Sequence, residues 1–177
     1  MKFNHLKIPQ TGFIKVVIIG LLLCLILPPY AAQAAPPPEG ALSVSGNRIV
    51  NQNSDPVSFA GNSLFWSNDG WGGEKFYNAS VVNWLKSDWK ATIVRASMGV
   101  DESGGYIDYP TSNKDKVTTV VDAAIAAGLY VIIDCHSHHA EDYQSEAIGF
   151  FQEMATTYGS YDNVIYEIYN EPLNTAS

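Results

Sequence analysis

Basic residues are scarce in this chain. Its 177 residues carry ten lysines and arginines against eighteen aspartates and glutamates, a formal charge of −8. Nucleic-acid partners need basic patches, so they are excluded. Cysteine is scarcer still. Cys24 and Cys135 are the only two, too few for a disulfide scaffold, so the fold must be held by its core. No Gly-x-Gly-x-x-Gly follows the first strand-like segment, which leaves a dinucleotide site without its anchor. No internal repeat is visible. Long apolar runs are missing as well: Val16–Leu27 has twelve residues, and at about 1.5 Å per residue it falls well short of a bilayer core of about 30 Å.

That short run has a different use. Lys2, Lys7 and Lys15 precede it, and Ala32-Gln33-Ala34 follows it. A basic start, a short apolar centre and an Ala-x-Ala exit make a secretory signal peptide over residues 1–34. A lipid-modified Cys24 is disfavoured by the bulky Leu23 before it. Removing 1–34 takes away three lysines and no acid, leaving seven basic and eighteen acidic residues, a formal charge of −11. Cys135 is then the one cysteine left, and no intrachain disulfide can form. The mature protein is expected to be extracellular, free of the membrane, and suited to a neutral substrate. Residues 35–41, rich in proline, read as a short stiff spacer.

The body, residues 42–177, alternates strand and helix. Leu42–Val44 and Arg48–Val50 flank Gly46-Asn47 as a small hairpin. Val57–Gly61 reads as a strand, followed by a loop holding Phe65, Trp66 and Trp71. Val81, Val82, Leu85 and Trp89 recur at helical spacing, placing a helix over about 79–88. Thr92–Ala96 is a strand ending on Arg95. Val117, Val120, Val121, Ala124 and Ile125 mark a second helix closed by Gly128. Leu129–Asp134 is a continuous apolar strand, as expected for burial on both faces. A third helix is predicted from about Gln144 to Tyr158. The last strand, Val164–Tyr169, is apolar except at Glu167 and leads into Asn170-Glu171-Pro172. Pro172 should end the strand and hold Glu171 extended.

Alternation of this kind builds a parallel sheet, either doubly wound or closed as an eight-stranded barrel. Polar residues gather at the C-terminal ends of the strands: Arg95, His136, Asn170 and Glu171. Barrel enzymes build their sites there, so the fold class is α/β, a (β/α)8 TIM barrel. Such a barrel takes eight strands and about 250 residues. Four strands in roughly 140 mature residues supply the first four strand-helix units, and the sequence reads as a truncated one.

Val164-Ile165-Tyr166-Glu167-Ile168-Tyr169-Asn170-Glu171-Pro172-Leu173 resembles the acid/base signature of glycoside hydrolase family five, the cellulase family. Val94-Arg95-Ala96-Ser97-Met98 resembles its Arg-Ala-x-Met segment, and Ile133-Asp134-Cys135-His136 its third strand, which often has Trp at the position of Cys135. The segments around Ser137–Glu141 and Ser145–Met154 are similar to those of its secreted bacterial endoglucanases. The resemblance implies that Glu171 is the general acid/base and that Asn170 holds the sugar 2-hydroxyl. It implies that Arg95 keeps the nucleophile ionised, and that His136 lines the subsite at the cleaved bond. Trp71 and Trp66 would then bind sugar rings, with core packing the alternative for Trp66. Gly99 stands where relatives carry an aromatic residue.

Retaining hydrolysis needs two carboxyls about 5–5.5 Å apart. The resemblance puts the nucleophile, a glutamate, at the end of a seventh strand that this sequence does not contain. Asp134, Asp101 and Glu102 are the local candidates, Asp134 reading as structural and the other two lying in a glycine-rich loop. The function implied is a retaining endo-β-1,4-glucanase acting on cellulose or a related β-glucan, without a cofactor and, when complete, as a monomer. A β-mannanase or other β-glycanase shares this chemistry. Two readings of other classes remain: a metal site from His136, His138, His139, Asp134 and Glu141, and a non-catalytic sugar-binding protein.

Overall fold

A computed structural model describes residues 34–174 of the chain. The expected signal peptide lies outside the described residues, Ala34 excepted. Within them, β1 (Ser43–Ser45) and β2 (Arg48–Val50) form the antiparallel hairpin. Then follow β3 (Gly61–Ser63), α1 (Ala79–Trp89), β4 (Ile93–Gly99), α2 (Pro110–Ala127), β5 (Tyr130–His136), α3 (Gln144–Tyr158) and β6 (Val164–Glu167). Strands β3 to β6 make one parallel sheet whose spatial order is the chain order, β3-β4-β5-β6. A doubly wound sheet reverses direction at a switch point. This one does not, which is the ordering of a barrel.

Register explains the rest. Val94, Ala96 and Met98 of β4 and Val131, Ile133 and Cys135 of β5 are buried in one cluster with Val82, Leu85, Val117, Val120, Val121, Phe150 and Met154 from the three helices. Each large side chain so buried contributes about 1.5–3 kcal/mol. Because strand side chains alternate, Arg95, Ser97, Ile132, Asp134, His136 and Glu167 share the opposite, inner face. The pairing Ser97↔Asp134↔Glu167 sets three of these residues in one row.

Several boundaries differ from the sequence reading. The first sheet strand is Gly61–Ser63, later than Val57–Gly61. Pairing begins only at Gly61↔Ile93, and a Cβ at Gly61 would lie 1.8 Å from the Ile93 carbonyl oxygen. Only glycine permits that approach. Strand β4 continues to Gly99, which pairs with His136, so Arg95 sits within the strand and not at its end. Likewise β5 runs through His136, while β6 stops at Glu167.

The proline-rich spacer is pinned to the body. The Ala35 N–H donates to Ile125 O at 3.1 Å, the Tyr130 hydroxyl to Gly40 O at 2.6 Å, and Pro37 is buried. No helix of the described residues is long and apolar enough to cross a membrane.

Candidate active site

Arg95 is the hub of the inner face. Its Nε and Nη2 grip Glu167 in a two-point fork at 2.8 and 2.7 Å. The same Nη2 reaches Asn170 Oδ1 at 2.9 Å and Asp134 Oδ2 at 2.9 Å, while Nη1 donates to Ser63 and Ser97 hydroxyls at 3.3 and 3.2 Å. A guanidinium has five N–H donors in a rigid fork. Every arm of this one is engaged.

Asp134 is fully buried and links Arg95 to His136, whose Nδ1 lies 2.5 Å from the same Oδ2. Burial pushes the Asp134 carboxyl above its usual range, against the hydrogen bond from His136 and the charge of Arg95. With Nδ1 occupied by the carboxylate, the other ring nitrogen of His136 is left for the pocket. The Trp66 ring meets His136 edge to face at 4.3 Å between centroids, and Trp71 stacks on Trp66 at 5.4 Å and 15°. Trp66 is half-buried and Trp71 is 41 % exposed. Trp66 therefore belongs to the pocket wall and not to the core.

The loop that carries these rings is fixed from beneath. Ser67 N donates to Ser97 O at 3.0 Å, and Lys116 Nζ donates to Ser67 O at 2.8 Å. The Tyr77 hydroxyl lies 2.8 and 2.7 Å from the Phe65 and Ser97 carbonyls. Gly99 has no room for a side chain, because a Cβ there would lie 1.8 Å from Asn68 Oδ1. The space beside Gly99 is taken by Asn68, which is itself fully buried.

Ser63, Trp66, Arg95, His136, Asn170 and Glu171 are among the residues lining a pocket of about 340 Å³ at the C-terminal ends of the strands. Asn170 is buried. Glu171 has 78 % of its side chain exposed and a φ of +47°. The extended backbone expected from Pro172 is not what is found. The chain bends at Asn170 and Glu171, and left-handed backbone at a non-glycine residue costs about 1–2 kcal/mol. His138 Nδ1 lies 3.5 Å from the Glu171 carbonyl oxygen and 3.8 Å from its carboxylate. Asp101 and Glu102 lie outside this pocket lining.

A family profile, Cellulase (glycosyl hydrolase family 5), matches residues 50–177. The chain belongs to glycosyl hydrolase family 5. It is 64 % identical over 135 residues to Endoglucanase Z of Dickeya dadantii, a match covering 76 % of this chain and 32 % of that protein. It is 38 % identical over 178 residues to an endoglucanase of Clostridium saccharobutylicum, covering 97 % of this chain and 38 % of the relative. The solved catalytic domain of Thermobifida fusca endoglucanase Cel5A superposes with a TM-score of 0.72 at 33 % identity, over 78 % of this chain and 45 % of that one. A structure from Cytophaga hutchinsonii gives 0.74 at 53 % identity, over 78 % and 44 %. The chain thus spans about a third of these curated relatives and under half of the solved barrels, and its parallel β/α units match that part of a family 5 TIM barrel.

Sequence reasoning missed Glu167. Inside an apolar strand it looked like an interruption, yet it is the principal partner of Arg95. The available signal was period two, which puts Glu167 on the inner face of β6 beside Asp134; its contact with Arg95, two strands away, carried no such signal. Tyr169 was also passed over; its hydroxyl meets the Glu141 carboxylate and lies 3.1 Å from the His138 carbonyl oxygen. As for metal, no group of three or more His, Cys, Asp or Glu side chains among the described residues is arranged to hold an ion.

Proposed function

We propose that this chain is the first half of the catalytic barrel of a secreted, retaining endo-β-1,4-glucanase. Its substrate would be cellulose or a related β-glucan, with Glu171 as the general acid/base. The observation that carries the reading is the set Arg95, His136, Asn170 and Glu171 around one pocket at the strand ends, beside the Trp66 ring. Relatives named endoglucanase favour a β-glucan over a mannan, as does a Thermobifida fusca relative crystallised with cellotetraose.

In this reading a glucan chain lies across the pocket with a sugar ring against the tryptophans. Glu171 gives its proton to the leaving glycosidic oxygen while a second carboxylate attacks the anomeric carbon. Glu171 then takes a proton from the water that releases the sugar. Asn170, held by Arg95, orients the 2-hydroxyl beside the reacting carbon. The second carboxylate would come from a later strand of the barrel. The positive charge of Arg95 would favour the ionised form of that carboxylate, while Asp134 and Glu167 hold the guanidinium in place.

The test is hydrolysis of soluble cellulose by the protein carrying the whole barrel. Glu171→Gln should lower activity by about 10²–10⁴-fold, the scale of lost general-acid catalysis. Unchanged activity would remove Glu171 from the mechanism. Export is supported by the sequence pattern of residues 1–34, and mass spectrometry of secreted protein should find a new amino terminus at Ala35.

A further inference from the structure

The loop between β5 and α3 meets the segment after β6 through Glu141 and through His138, which takes part with both its backbone and its ring. The His138 carbonyl lies 3.1 Å from the Tyr169 hydroxyl, and the His138 ring nitrogen Nδ1 lies 3.5 Å from the Glu171 carbonyl. These contacts run in opposite directions and bracket Asn170. The ring is half-buried, and its neighbours are Trp66, with centroids 5.8 Å apart, and His136, at 6.2 Å. The loop that offers it is itself held, since His139 N donates to Ser137 Oγ at 2.9 Å and Ser137 is buried. Glu171 needs such a partner, because a glutamate does not take a φ of +47° unaided.

We infer that His138 is a positioning residue for Glu171. Its Nδ1 stands 3.8 Å from the Glu171 carboxylate, beyond hydrogen-bond reach, so it acts through the Glu171 backbone. Its Nδ1–H donates to the Glu171 carbonyl, fixing the backbone turn that aims the carboxyl at the cleaved bond, while Trp66 fixes the ring. The inference rests on the reading of Glu171 as proton donor. A misplaced donor loses most where the leaving group most needs a proton, so the effect of His138 should follow leaving-group quality.

The test compares His138→Ala, His138→Asn and Glu171→Gln in the protein carrying the whole barrel, with thermal melts as the control for folding. Two substrates are used: a cello-oligosaccharide, and a dinitrophenyl cellobioside whose leaving group needs little acid help. The quantity read is kcat/KM, which reports bond breaking. His138→Ala should lose about tenfold on the oligosaccharide and less than about twofold on the aryl glycoside. His138→Asn, whose amide can reach the same carbonyl, should recover most of the loss. Equal losses on the two substrates, or Ala and Asn variants that behave alike, would overturn the inference. Glu171→Gln keeps the two failures apart. If that variant shows steep leaving-group dependence while His138→Ala shows none, only the role of His138 falls. If Glu171→Gln itself loses equally on both substrates, the donor assignment falls and the inference with it.

Discussion

Asp134 and Glu167, paired in register across β5 and β6, converge on one guanidinium nitrogen of Arg95, at 2.9 and 2.7 Å. Two carboxylates sharing one cation carry an excess negative charge into a buried row, and the fully buried member bears the cost. Burial holds the Asp134 carboxyl above its usual range. The folded state therefore binds that proton more tightly than the unfolded chain does. Stability is favoured below the ordinary aspartate range and is lost as pH rises through the raised value. Asp134→Asn abolishes this titration. The stability of the parent minus that of the variant should shrink as pH rises from about 3 to 7, read by denaturant unfolding. A gap that widens with pH would show that pairing with Arg95 outweighs burial.

Gly61→Ala should be costly although alanine is small. Its Cβ would press on the Ile93 carbonyl at 1.8 Å, and backbone cannot yield as a flexible side chain does. A loss of about 1–3 kcal/mol is expected, seen as a lower denaturation midpoint. A loss under half a unit of that range would mean that β3 sits further from β4 than described.

Trp71→Ala should weaken long oligosaccharides more than short ones, because the ring stacks on Trp66 away from Glu171. The expected signature is a KM that rises several-fold for the longest substrates with kcat for the shortest unchanged. Trp66→Ala should act on every substrate length, since Trp66 also packs against His136. Identical length profiles for the two variants would contradict this division.

Residues 35–177 expressed alone should release no reducing sugar from soluble cellulose, for want of a nucleophile opposite Glu171. They should also self-associate. Ala147, Ile148, Phe151 and Ile168 are among the residues lining an apolar groove of about 640 Å³ beside α3, and Ile148 and Ile168 are largely exposed. An open parallel edge next to such a groove invites pairing. A monomeric, cooperative and active product in sedimentation and reducing-sugar assays would refute both points.

Much of this architecture was legible because it is local. The valines at 117, 120 and 121 announced the buried face of α2, and the apolar spacing from Ile148 to Met154 announced α3, whose ends were read as found. The first two turns of α2 were not legible. They begin at Pro110 and are polar, and buried Asn113 is satisfied by Ser67, Gly104 and Tyr109 and not by apolar contact. At the site, Asn170, Glu171, Arg95 and His136 were read from motif and strand position, and they do line one pocket. The fork between Arg95 and Glu167 spans 72 positions in sequence. Such a contact depends on register between strands that are not neighbours, which no local pattern records.

Cys135 has a further consequence. Its side chain lies on the helix side of β5 at 2 % exposure, and burial pushes its thiol up to about 12. Among the described residues it is the one free sulfhydryl. A thiol reagent can reach it only when helices α2 and α3 part from the sheet, so the labelling rate in the absence of denaturant counts how often the barrel wall opens. This part of the barrel wall carries its own reporter for breathing motions, at one known atom, with no engineered probe.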